Sequence, residues 1–133
     1  MMPCDDDYPE DVLDGLALGR NRKVLALTPS TARDALLNHI RETFDRCVGI
    51  ATKKNADYGG ESSPFANFER SVMVGVSPER AILVRLTDKI ARISNLLDRP
   101  AVVANESIGD SIDDAINYLA ILAAYRALSD SSR

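Results

Sequence analysis

ESIGDSIDDAINYLAILAAYRAL, residues 106–128, decides how this chain folds. At the helical period, Ile108, Ile112, Ala115, Ile116, Leu119, Leu122 and Ala123 share one broad apolar stripe, which predicts a core-facing helix. Glu106, Asp110, Asp113, Asp114 and Asn117 gather on the other side. Glu106, Asp110 and Asp114 stand four residues apart on successive turns, where like charges repel by roughly a few tenths of a kcal/mol per pair. Two readings account for them. One is a solvated acidic face near the helix N-terminus, where the dipole favours negative charge. The other is a divalent cation site, since Mg²⁺ takes carboxylate oxygens together with substrate phosphates. Asn117 and Ile121 continue the acidic stripe as amide and then apolar residue, so the stripe is expected to be covered.

Upstream, Ser77 and Pro78 announce a second helix, a hydroxyl cap followed by proline at the first helical position, running to about Leu97. Ile82, Leu83, Leu86, Ile90, Ile93 and Leu97 form its apolar side. Arg85, Asp88 and Arg92 share another face with Lys89 at its margin. They read either as a surface ion-pair ladder or as cations placed opposite the acids of the last helix, with anionic phosphate between; arginine suits the latter through its bidentate fork. Residues 98–105 make a turn, with Asn105 as the expected cap of the final helix.

Between residues 53 and 71 the sequence KKNADYGGESSPFANFERS is rich in Gly, Ser and Asn and reads as a long loop. Tyr58, Phe65 and Phe68 argue against disorder; they either pack on the core or stack on a flat ligand. With Lys53, Lys54, Asn55, Asp57 and Asn67 they supply what a nucleotide needs: aromatic faces, amides for base edges and cations for phosphate. Before the loop a first helix is expected from about residue 30 to Thr52, capped by Thr31 with Asp34 three residues on. Its apolar face holds Leu36, Leu37, Ile40, Phe44 and Val48, and its solvent side Arg33, Arg41, Glu42, Asp45 and Arg46. Residues 1–29 are an acidic, partly flexible start in which Val24–Leu27 is a short strand or a docking segment, and 129–133 form a polar tail.

Composition narrows the function classes. The chain has 133 residues, 45% hydrophobic and 27% charged, which fits one ordinary domain spanning 30–128. A formal charge of -4 argues against direct nucleic-acid binding, which relies on basic patches. Cys4 and Cys47 lack metal spacing and read as incidental thiols of a reduced protein, and His39 stands alone. No apolar run reaches the ~20 residues of a membrane span. A cytoplasmic location is expected. The architecture that follows is all-α: two long helices in an antiparallel hairpin, joined by the first into a small bundle. Apolar residues left over, among them Tyr118, Leu128 and the loop aromatics, predict completion by oligomerisation, with a homodimer or homotetramer the expected assembly.

The blocks KNADYGG, PFANF, ILVRLTDKIARISNLL and ESIGDSIDDAINYLAI resemble a family of small phage and prophage proteins that carry the nucleotide modification associated domain. That family is similar in turn to the MazG-like all-α nucleoside triphosphate pyrophosphohydrolases. The resemblance covers about Lys53 to Tyr125. It implies a helical bundle in which carboxylates of two adjacent helices hold Mg²⁺ and a (deoxy)nucleoside triphosphate is cleaved to monophosphate and pyrophosphate. Glu106, Asp110 and Asp114 match the acidic motif of the last helix and would hold the metal, with Asp88 contributing and Asp113 orienting or deprotonating the water. Lys53, Lys54, Arg85, Lys89 and Arg92 would neutralise phosphates; Asn55, Asp57, Tyr58, Phe65, Asn67, Phe68 and Asn117 would surround base and sugar. The motif of several glutamates on the preceding helix is absent, for Asp88 stands alone between Arg85 and Arg92. The alternative is therefore a noncatalytic protein that binds or sequesters a nucleotide or a nucleotide signal.

Overall fold

The computed structural model describes residues 27–58, 63–99, 102 and 107–131. They form an all-α protein: α1 (Pro29–Tyr58), the short α2 (Ala66–Glu69) continued by a 3₁₀ turn (Arg70–Val74), α3 (Pro78–Asp98) and α4 (Ile108–Asp130). Two compact units divide the chain, Met1–Arg41 and Glu42–Arg133. Among the described residues no helix is long and apolar enough to cross a membrane. The expected reading of Val24–Ala26, and Asn105 as a cap, lie outside the described residues.

In the first unit α1 begins earlier than its expected cap at Thr31. Thr28 Oγ1 accepts the Thr31 backbone N–H at 3.3 Å, and Pro29 takes the first helical position, where its missing N–H costs nothing. Leu36, Leu37 and Ile40, expected to face a core, are exposed here.

In the second unit α1 continues through Lys53–Tyr58, which the sequence assigns to a loop. Asn and Asp there are poor helix formers by only a few tenths of a kcal/mol, roughly, and tertiary anchors such as the bond from Lys54 to Asp114 override that. The rest of the supposed loop holds α2 and the 3₁₀ turn, closed by Gly75 at φ 75°, a left-handed conformation that suits glycine. Ser71 Oγ lies 2.7 Å from the carbonyl oxygens of both Phe68 and Val76, tying the turn to its flanks.

α3 starts as expected, with Ser77 Oγ accepting the Arg80 N–H and Pro78 at the first position. α4 is capped by Ser107: its hydroxyl accepts the Asp110 N–H at 3.1 Å while Asp110 Oδ2 accepts the Ser107 N–H at 2.9 Å. The helix runs on to Asp130, through residues assigned to the tail. Lys89 meets Asp114, and Arg85, one turn back, shares a cavity with Asn117 and Ile121, so α3 and α4 run antiparallel.

The core is small. Cys47, Phe68, Ile82 and Leu86 are its buried hydrophobic members among the described residues. Phe68 meets Tyr118 edge-to-face at 6.2 Å and Phe65 meets Tyr125 at 5.2 Å, fastening α2 onto α4. The rotation of two helices departs from the expected pattern. On α1, Phe44 and Val48 are exposed and Cys47 is buried instead. On α4, Ile112 and Leu119 of the apolar stripe are exposed, whereas Ser111 and Asp113 are buried and Asp114, Asn117 and Ile121 half-buried. The polar stripe of α4 faces inward because cations on α1 and α3 meet its acids there.

Candidate functional site

Each inward acid of α4 has a defined partner. Asp113 receives a fork from Arg46, Nε to Oδ2 at 2.6 Å and Nη2 to Oδ1 at 2.9 Å, the bidentate geometry that makes guanidinium–carboxylate pairs strong. Its carboxylate is 5% exposed and the Arg46 side chain 49%. The hydrogen bond to Asp113 raises the Arg46 pKa further. Beside the pair, Cys47 Sγ donates to the Asp113 carbonyl oxygen at 3.7 Å, and burial pushes the thiol pKa up, leaving it a protonated packing residue. Asp114 is gripped from two helices, by Lys54 Nζ at 2.7 Å and Lys89 Nζ at 2.9 Å. Burial pushes its carboxyl pKa up, but the two lysine hydrogen bonds and charges outweigh that and hold it below the usual value. Asp110 is also held low, by hydrogen bonds from the Ser107 side chain and backbone in its own capping box.

Next to Asp114 opens a cavity of about 450 Å³, within the range that accepts a small organic ligand. Ala51, Lys54 and Asn55 of α1 form one wall, and Pro64 with Phe65, Asn67 and Phe68 another. Arg85 of α3 and Asp114, Asn117, Tyr118 and Ile121 of α4 complete it. Two features stand out chemically. Asn117 Nδ2 is buried and has no hydrogen-bond partner among the described residues. Arg85, in the same lining, makes no hydrogen bond or ion pair with them.

The structure thus brings together Lys54, Asn55, Phe65, Asn67, Phe68, Arg85, Asp114 and Asn117, eight of the residues singled out in the sequence. Lys89 reaches the cavity only through Asp114. Lys53, Asp57, Asp88 and Arg92 do not line it. Glu106 and the Tyr58 side chain lie outside the described residues. Among those described, no three His, Cys, Asp or Glu residues come together as a metal-binding group. Asp110 is engaged in its cap, Asp113 in its arginine fork and Asp114 between two lysines, so each of these three expected acids already has a protein partner.

Sequence reasoning missed Arg46, assigned to the solvent side, and Tyr118, left over for oligomerisation. Tyr118 carried a usable signal: it stands four residues after Asp114 and beside Asn117, on the same side of the helix. Arg46 carried none, because nothing local distinguishes it from Arg41. Comparison with protein-family models, with curated proteins and with solved structures gives no match.

Proposed function

We propose that this chain binds a nucleotide or a nucleotide-like anion in the cavity between α1, α2, α3 and α4, and returns it chemically unchanged. The observation that carries the reading is the pairing of two unused donors in one cavity, the Asn117 amide and the Arg85 guanidinium. A buried amide without a partner costs about 1–3 kcal/mol, and a ligand acceptor entering the cavity relieves it. A guanidinium recognises phosphate bidentately, Asn55 and Asn67 offer further amide groups, and Phe65, Phe68 and Tyr118 provide aromatic surface. The acids support binding rather than hydrolysis, since their oxygens are already held by protein cations or a cap.

A second reading, a Mg²⁺-dependent nucleoside triphosphate pyrophosphohydrolase, is favoured by one observation: Asp114 stands in the cavity wall, on the helix whose motif resembles those enzymes. It requires a metal ion to displace Lys54 and Lys89 from that carboxylate. The test is a panel of deoxyribonucleoside and ribonucleoside mono- and triphosphates, titrated by calorimetry in Mg²⁺ and in EDTA, with the nucleotides recovered and chromatographed. The binding reading expects affinity that survives EDTA and intact nucleotide. Metal-dependent release of pyrophosphate would replace it with the hydrolase reading, and absence of binding across the panel would remove both.

A further inference from the structure

α3 buries Ile82 and Leu86 and leaves a second apolar row bare. Leu83, Ile90 and Leu97, exposed by 43%, 54% and 61%, recur every seven residues, the spacing of a helix–helix seam. Val84, Thr87, Ala91 and Ser94, also exposed, fall in the same arc of roughly 140° at 3.6 residues per turn. From Ala81 to Leu97 that arc carries no charge. Its two ends do: Arg80 beside Glu79 in the first turn, and Asp98 at the last residue of the helix; Arg80 and Asp98 lie about 27 Å apart at 1.5 Å per residue. Among the described residues neither makes an ion pair.

We infer that this face of α3 is the contact with a second copy of the chain, packed antiparallel about a twofold axis near Ile90. The inference is independent of the ligand reading. A parallel pair would set arginine against arginine at one end and aspartate against aspartate at the other. The antiparallel pair places Arg80 opposite the partner's Asp98 at both ends, Leu83 opposite the partner's Leu97, and Thr87 opposite the partner's Ala91. A surface with opposite charges at its ends and an apolar middle is its own complement under a twofold axis, which is what an isologous interface requires. Thr87, Ala91 and Ser94 are small, so the two helices approach closely along the centre. One helix face makes a small interface, and a dissociation constant in the micromolar range is expected.

Sedimentation equilibrium of the full chain from roughly 5 to 300 µM, the span over which such a dimer dissociates, tests the assignment. The expected result is a reversible monomer–dimer equilibrium that Ile90→Arg abolishes, because it sets two like charges together at the axis. Arg80→Glu and Asp98→Arg should each weaken association about tenfold, and the two changes combined in one chain should restore it to within about threefold of the original. Circular dichroism checks that helix content is unchanged; if Ile90→Arg disrupts folding, the exposed end positions decide the matter. A chain that stays monomeric throughout, or a double variant no better than either single one, overturns the assignment.

Discussion

Asn117 is where stability and function should separate. Its Nδ2 is buried in the cavity wall with no partner among the described residues, so the folded protein carries an uncompensated desolvation cost of about 1–3 kcal/mol. Asn117→Leu keeps the side-chain size, removes the amide and adds apolar surface against Phe68, Tyr118 and Ile121, which line the same cavity. Asn117 is only half-buried as a residue, so the lower end applies, and the ligand-free protein should gain about 1 kcal/mol. For a domain of this size that is about 4 °C in Tm. Nucleotide affinity should move the other way, falling at least about tenfold, because one hydrogen bond to a buried acceptor is worth about 1.4 kcal/mol or more. The assay is differential scanning calorimetry without ligand, followed by titration with the tightest nucleotide of the panel. A variant that loses stability would show the amide to be structural, and one that binds nucleotide as before would show that the ligand does not use it. Either result refutes the reasoning.

Three further outcomes follow from the same geometry. Arg46→Ala should lower the urea midpoint more than Asp113→Ala does, because the first strands a buried carboxylate while the second leaves a half-exposed guanidinium that water can reclaim. Ile82→Ala, at the one fully buried large side chain among the described residues, should cost about 2–5 kcal/mol, read as a lower urea midpoint at unchanged slope. The Asp114 carboxyl has its pKa lowered on folding, so the stability it supplies is fully present above its unfolded value of about 3.9 and is lost as pH falls through and below that value. Denaturation at a series of pH values from about 6 to 3 should therefore show a less steep acid limb for Asp114→Asn than for the parent, and identical limbs would dismiss the lysine grip as energetically idle.

The parts of this molecule legible in the sequence are those set by local chemistry. Ser77 and Pro78 place the start of α3 because a hydroxyl cap and a proline act within one turn. Hydrophobic periodicity identified the long helices, and the mixture of lysine, asparagine and phenylalanine after Thr52 pointed to residues that do line one cavity. What periodicity could not give is the rotation of a helix when two of its faces are each able to pack. α4 has an apolar stripe and a polar stripe, and the polar one turns inward because Arg46, Lys54 and Lys89 arrive there from other elements. Those pairings join residues about 25 to 67 positions apart, beyond any local signal. The same limit misplaced Lys53–Tyr58, where weak helix formers continue a helix that the distant Lys54–Asp114 bond anchors.

The inward polar stripe also bears on what the cavity prefers to hold. A divalent cation seeking Asp114 must release two ammonium groups whose combined charge equals its own, so its electrostatic gain at that carboxylate is largely cancelled by their loss. A phosphate faces no such exchange. On the proposed reading it would meet Arg85, which has no carboxylate partner among the described residues. Residues that in sequence suggest a metal clamped between acids and phosphates therefore set, once their partners are fixed, a guanidinium and one unpaired amide in the wall of a single recess. On the proposed reading an anion would enter without disturbing the Asp114 pairs, whereas metal-assisted hydrolysis would require Asp114 to change partners first.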